Sequence, residues 1–205
     1  MRRATTLSVL LLGGLGLAAC GGGEEAMEEA APSEMAMETE SGELACYIAR
    51  GTMDEARERP SPLMETRFSI GDADALLCYG APSARGREIM GGLLVYGQHE
   101  RIGANEATAI HLAGPADIGG VMLEPGQYSL YAIPNQDQWE FFLNSNWERW
   151  GIPIDDGVRS TEVGSFTATP EAMEEFVETL QYRFENGEIL LEWENTRVRI
   201  PVAGA

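Results

Sequence analysis

The stretch that most narrows the fold lies near the C-terminus. Leu180, Tyr182 and Phe184 alternate with Gln181 and Arg183 up to the pair Asn186-Gly187. Alternation of that kind puts apolar side chains on one face of a strand, and Asn-Gly is the pair that a two-residue type I′ hairpin turn demands. Beyond the turn, Ile189, Leu191 and Trp193 share a face. Val198, Ile200 and Val202 then alternate with Arg197 and Arg199, which reads as a third strand with one solvated side.

The same grammar runs back through the chain. Thr66 to Ile70, Ala75 to Tyr79, Ala107 to Leu112, Ile118 to Leu123, Tyr128 to Ile133 and Glu140 to Asn144 read as strands, with Glu124-Pro125-Gly126 and Pro134-Asn135 as turns. One helix is expected, over Pro170 to Phe176, because Thr169 is an N-cap type and proline suits the first helical position. So many short one-faced strands must bury their apolar faces against a second sheet. The expected fold is therefore all-β and mainly antiparallel, a β-sandwich or jelly-roll-like domain with at most one short helix. A partly open β-barrel is the alternative.

The N-terminus carries an address. Arg2 and Arg3 precede an apolar run from Leu7 to Leu17, too short to span a bilayer comfortably, which ends in Leu17-Ala18-Ala19-Cys20. This is the pattern of a lipobox, so residues 1 to 20 are expected to be a lipoprotein signal peptide with Cys20 as the lipidated residue. An ordinary signal peptide cut near Ala19 is the alternative. Residues 21 to 45 form an acidic tether, with eight glutamates between Gly21 and Glu43 and few large apolar groups. A single β-rich domain is expected from 46 to 205, its core from about 60 to 202, with Arg59-Pro60-Ser61-Pro62 interrupting regular structure at its edge. Leu44 to Arg59 has room for a short strand or a turn of helix.

Charge narrows the partners. Thirty-three acids face 14 bases, all arginine, for a net charge of −19; loss of Arg2 and Arg3 on processing gives 12 − 33 = −21. Nucleic acid is excluded as a partner, because affinity for phosphate backbones needs clustered cations. The implied partner is a membrane, reached through lipid on Cys20, and the implied location is the bacterial cell envelope, at the outer membrane, facing the periplasm or the surface. In that oxidising compartment Cys46 and Cys78, the pair left after lipidation, suit a disulfide; two buried free thiols are the alternative.

Chemistry-bearing residues concentrate in one region. Arg85, Arg87, Arg101, Asn105 and Glu106 lie within about twenty residues, close enough for a β-meander to gather them at one sheet edge. Arg87 or Arg101 would grip a carboxylate, sulfate or sugar hydroxyls through its planar fork, with Asn105 and Glu106 completing the hydrogen bonds. The structural alternative pairs Arg101 with Glu106 and lets Gly103 and Asn105 shape a tight turn. Trp139 to Trp150 holds three of the four tryptophans; Trp139, Phe141 and Leu143 alternate like a buried face, which leaves Trp147 and Trp150 as candidates to stack on an apolar ligand or sugar face. His99 and His111 have no standard zinc spacing, so no metal and no cofactor is expected. No Gly-x-Ser-x-Gly elbow is present.

Several motifs together resemble a family, the bacterial domain of unknown function 2911, found in lipoproteins and exported proteins. They are Gly86-Arg87-Glu88-Ile89-Met90-Gly91-Gly92-Leu93, Tyr96-Gly97, Arg101, Gly103-Ala104-Asn105-Glu106-Ala107-Thr108, Gly126-Gln127-Tyr128-Ser129-Leu130, Ile133-Pro134, Trp139, Asn144, Trp147, Trp150-Gly151 and Leu191-Glu192-Trp193. They cover roughly Pro60 to Val202 in order. Two positions depart from the family pattern: Glu100 stands where a tryptophan is usual, and Val95 where a proline is usual. The resemblance implies fold and export but no activity. Function is therefore expected to be non-catalytic binding of a small molecule, glycan or partner protein by an envelope-anchored domain. The alternatives are a hydrolase using Arg101 and Glu106, and a purely structural envelope protein.

Overall fold

Two sheets, both antiparallel throughout, carry nearly all the regular structure of residues 43–205, the part that the computed structural model describes. The signal peptide, Cys20 and most of the acidic tether lie outside the described residues. In chain order the elements are α1 (Met53–Arg57), β1 (Leu63–Ile70), β2 (Ala73–Gly80), β3 (Thr108–Leu112), β4 (Ala116–Ile118), β5 (Val121–Leu123), β6 (Gly126–Ile133), β7 (Trp139–Asn144), α2 (Asp156–Arg159), β8 (Glu162–Ala168), β9 (Pro170–Glu185) and β10 (Glu188–Gly204). The larger sheet runs β1-β2-β3-β6-β7-β8 and the smaller β5-β4-β10-β9. They form a sandwich rather than a closed barrel.

The core is the product of the alternation. Ile110 and Leu112 of β3, Leu130 and Ala132 of β6, and Trp139, Phe141 and Leu143 of β7 face Leu180 and Tyr182 of β9 and the apolar row of β10. Asn186 and Gly187 both take positive φ, as a type I′ turn requires (53° and 79°). The expected third strand is instead the second half of β10. In β10 the positions that join the core between the sheets are Ile189, Leu191 and Trp193 before Glu194 and Val198, Ile200 and Val202 after it, a switch from odd to even numbers. A bulge at Glu194, with φ 56°, makes that switch, so both halves of one strand face the same core.

Three other expectations fail. Pro170 to Phe176 is not helical but the first part of β9, with Pro170, Glu171 and Ala172 paired to Val198, Arg197 and Thr196. A seven-residue helix is marginal by itself, whereas β10 offers this segment a ladder, and proline is tolerated at a strand's first residue. Ile118 to Leu123 is not one strand but the hairpin β4–β5, turned at Gly119 and Gly120 with φ 63° and 91°. A side chain at Gly119 would strike the Phe166 ring, 2.4 Å from an ideal Cβ. The described residues hold two short helices rather than at most one: α1, closed by a capping box between Thr52 and Glu55, and α2, capped by Asp155.

The second face of the large sheet is covered by chain rather than by a sheet. Leu76 and Cys78 of β2 pack with Cys46, Ala56 and Leu63 beneath the segment around α1, and Cys46 is bonded to Cys78. Closing a loop of 32 residues is worth about 3 to 4 kcal/mol in the chain-entropy picture. Farther along this face, Asn144 donates to the Val158 carbonyl and accepts from Asn146 N and the Thr161 hydroxyl, so it holds down the loop around α2.

Candidate functional site

Residues 101 to 108 connect a bridge at Glu100 to strand β3, and the loop is buried for most of its length. Gly80 allows this burial: the Ala104 carbonyl would lie 2.1 Å from a Cβ there. The Ile102 carbonyl accepts from the hydroxyls of Thr108 (3.1 Å) and Tyr182 (2.7 Å). Asn105 sits at φ 63° and donates through Nδ2 to the Ser61 carbonyl at 2.8 Å.

Glu106 is 5% exposed and does not pair with Arg101. Its carboxylate takes two hydrogen bonds from Arg59 Nη1, at 2.8 and 3.1 Å, and one from the backbone N–H of Ala49 at 3.1 Å. Arg59 in turn donates to the Arg50 carbonyl. The expected internal pair therefore gives way to an ion pair with a residue 47 positions earlier. The reason is geometric: Glu106 bridges to Trp150 and points under the segment around α1, away from Arg101.

Arg101 has the opposite environment. Its stem lies over the backbone of Gly151, where a Cβ would come within 3.1 Å of Cδ. Its guanidinium is half-buried and donates to no acceptor among the described residues; burial lowers its pKa, and the charge of Glu100 opposes that shift. It lines a cavity of about 290 Å³ with Glu100, Leu93, Leu94, Ile152 and Trp193. Arg87 stands at the same cavity, steadied by donation from Nε to the Ala84 carbonyl (2.9 Å) and from Nη2 to the Ser83 carbonyl (2.7 Å). Arg85 is turned elsewhere, to the Pro60 carbonyl. Of the six candidate ligand-binding residues, the cavity thus gathers Arg87 and Arg101. Asn105 and Glu106 brace its back, and Trp147 and Trp150 do not reach it.

The chain matches the family described as Protein of unknown function (DUF2911) over residues 61–202, more than half its length. It belongs to that family. No curated protein and no solved structure matches it. The DUF2911 span includes Arg87, Arg101 and Glu106 but stops short of Arg59 and Ala49, so the carboxylate of Glu106 is satisfied by residues upstream of the matched region. Within the span, Glu100 lines the cavity and Val95 lies beside it in the chain's hydrogen bonding. Glu100 accepts a hydrogen bond from the Val95 N–H at 3.2 Å, a donor that proline lacks. Burial raises the Glu100 pKa, against the pull of that N–H and of Arg101.

The tryptophans outside the cavity are occupied by the protein itself. Trp147 meets the ring edges of Tyr47 and His111, with centroids 5.8 and 5.1 Å away. The Arg50 guanidinium lies 4.4 Å from the Trp150 ring centre. Through Tyr47 and Arg50 these partly exposed rings help to hold the N-terminal segment. His111 is 2% exposed, its Nε2 has no hydrogen-bond partner, and burial lowers its pKa to about 4, which keeps it neutral near pH 7. Among the described residues no group of three His, Cys, Asp or Glu side chains could hold a metal ion.

The apolar wall was not visible as a site in sequence. Leu93 follows a glycine pair and Ile152 follows Trp150-Gly151 with no periodicity to mark either, and Trp193 reads simply as the inward face of a hairpin. Arg87 and Arg101 are the lining residues that the sequence marks, as members of one polar set.

Proposed function

We propose that this DUF2911 protein is an exported, lipid-anchored, non-catalytic binding module of the cell envelope that takes a small molecule in the Arg101 cavity. The observation that carries the reading is Arg101 itself: a partly exposed guanidinium that donates to no acceptor among the described residues and lines a cavity at the small end of the range for ligand sites. A guanidinium fork without a protein acceptor is free to take a ligand carboxylate through two parallel hydrogen bonds. Export is supported by the Leu17-Ala18-Ala19-Cys20 pattern and by a cross-link suited to an oxidising compartment. The hydrolase alternative loses its acid, because Glu106 is held by Arg59 and Ala49 and does not line the cavity.

A fragment screen followed by NMR tests the site. Hits are expected to perturb Ile152 and Leu94 resonances and to vanish in Arg101→Ala; hits that all fall elsewhere, or that survive the substitution, overturn it. For the anchor, Cys20→Ser is expected to move the protein from the membrane fraction to the soluble one. Unchanged membrane association would remove lipid as the attachment.

A further inference from the structure

We infer that the Arg101 cavity selects an apolar monocarboxylate, held through the guanidinium fork with its hydrocarbon end against Leu93, Leu94 and Ile152. This rests on the reading of the cavity as a binding site and names its ligand class. Three observations converge on it.

The first is charge. Arg101 donates to no acceptor among the described residues, Arg87 has already committed two of its nitrogens to carbonyls, and Glu100 places a carboxylate in the wall. Arg87 and Arg101 bring two positive charges and Glu100 one negative, and the balance of 2 − 1 = +1 suits a single negative charge, in a chain whose net charge of −19 repels dianions. The second is the rim. Leu93 and Ile152 are 41% and 50% exposed, large apolar side chains that line the same cavity as the cation. A hydrated inorganic anion gains nothing from them, whereas an alkyl or branched tail gains about 25 cal/mol for each Å² removed from water. The third is size. At roughly 30 Å³ per water-sized group, 290 Å³ holds on the order of ten non-hydrogen atoms. That accommodates hexanoate but not a long-chain fatty acid. The same chemistry is carried by the last residue of a peptide ending in leucine.

Titration calorimetry and NMR on the full chain at pH 7, with hexanoate, hexanamide, succinate, palmitate and acetyl-alanyl-leucine, separate these terms. Hexanoate or the peptide is expected to bind at least tenfold more tightly than hexanamide or succinate and to shift Leu94 and Ile152 signals, with palmitate excluded from the cavity. Whichever of the two binds more tightly identifies a free acid or a chain terminus as the source. Arg101→Gln is expected to weaken binding at least tenfold, and Arg101→Lys, which keeps the charge but not the fork, by an intermediate factor. Equal binding of hexanoate and hexanamide at the cavity overturns the carboxylate class and leaves the binding site standing. If no probe perturbs the cavity, both readings fall. Should Arg101→Gln not fold, the hexanoate and hexanamide comparison on the unaltered protein decides alone.

Discussion

Glu106 and Arg101 lie five positions apart in one loop and have opposite fates. Glu106 is enclosed, and both its oxygens are matched by Arg59 and Ala49, so its charge is consumed in fastening the N-terminal segment. Arg101 has an apolar cavity on one side, a glycine backbone on the other and no acceptor among the described residues. Between them Asn105, at positive φ, turns the chain so that the two charged side chains never meet. Proximity in sequence of an arginine, an amide and a carboxylate is thus no measure of a shared site. What separates brace from site is whether the protein supplies each group's partner.

That contrast can be broken by experiment. Glu106→Gln should produce the largest loss, about 3 kcal/mol in urea unfolding, because it leaves the buried side of Arg59 without its counter-charge. A variant as stable as the parent would dissolve the distinction. Beneath the same segment, His111 should make stability depend on pH. Its folded pKa of about 4 lies below the unfolded value of 6.5, so the folded state binds fewer protons between the two. Its contribution is whole above pH 6.5 and is lost as pH falls towards 4, up to about 3 kcal/mol at about 1.4 kcal/mol per pH unit. Unfolding curves at pH 7 and 4.5 should therefore converge for His111→Leu relative to the parent; equal pH slopes would refute the buried neutral imidazole.

Smaller effects sharpen the boundary. Asn105→Ala should cost about 1 to 2 kcal/mol, from a non-glycine residue held at positive φ and from the lost bond to the Ser61 carbonyl. Asn105→Gly, which relieves the first cause, should cost less in the same assay. Arg101→Gln should change stability least, by within about 0.5 kcal/mol, since no protein contact to its guanidinium disappears. A loss like that of Glu106→Gln would place Arg101 in the brace as well.

Much of the β architecture can be read directly from residue order. The alternation of Leu180, Tyr182 and Phe184 and the positive-φ demand met by Asn186-Gly187 are local properties, and each appears where pattern places it. Pro170 to Phe176 misled for a local reason too: Thr169-Pro170 is good helix-start chemistry, and only pairing with Thr196 to Val198 overrides it. The bulge at Glu194 has no sequence marker, yet it decides that one strand replaces two. The site divides in the same way. Arg101 is legible as one member of a polar set, but its wall is drawn from the 93–94 turn, the 152 position and β10, which approach one another only after both sheets have packed.

The sequence by itself determined an all-β, mainly antiparallel fold, a sandwich with a partly open barrel as the alternative, because alternation and turn chemistry act over a few residues; the packed sheets decide for the sandwich. It also determined the supply of candidate charges. Tertiary structure alone decided which of those charges is satisfied. Arg59 reaches Glu106 across 47 positions and nothing reaches Arg101 among the described residues, and electrostatic satisfaction depends on distance in space rather than along the chain.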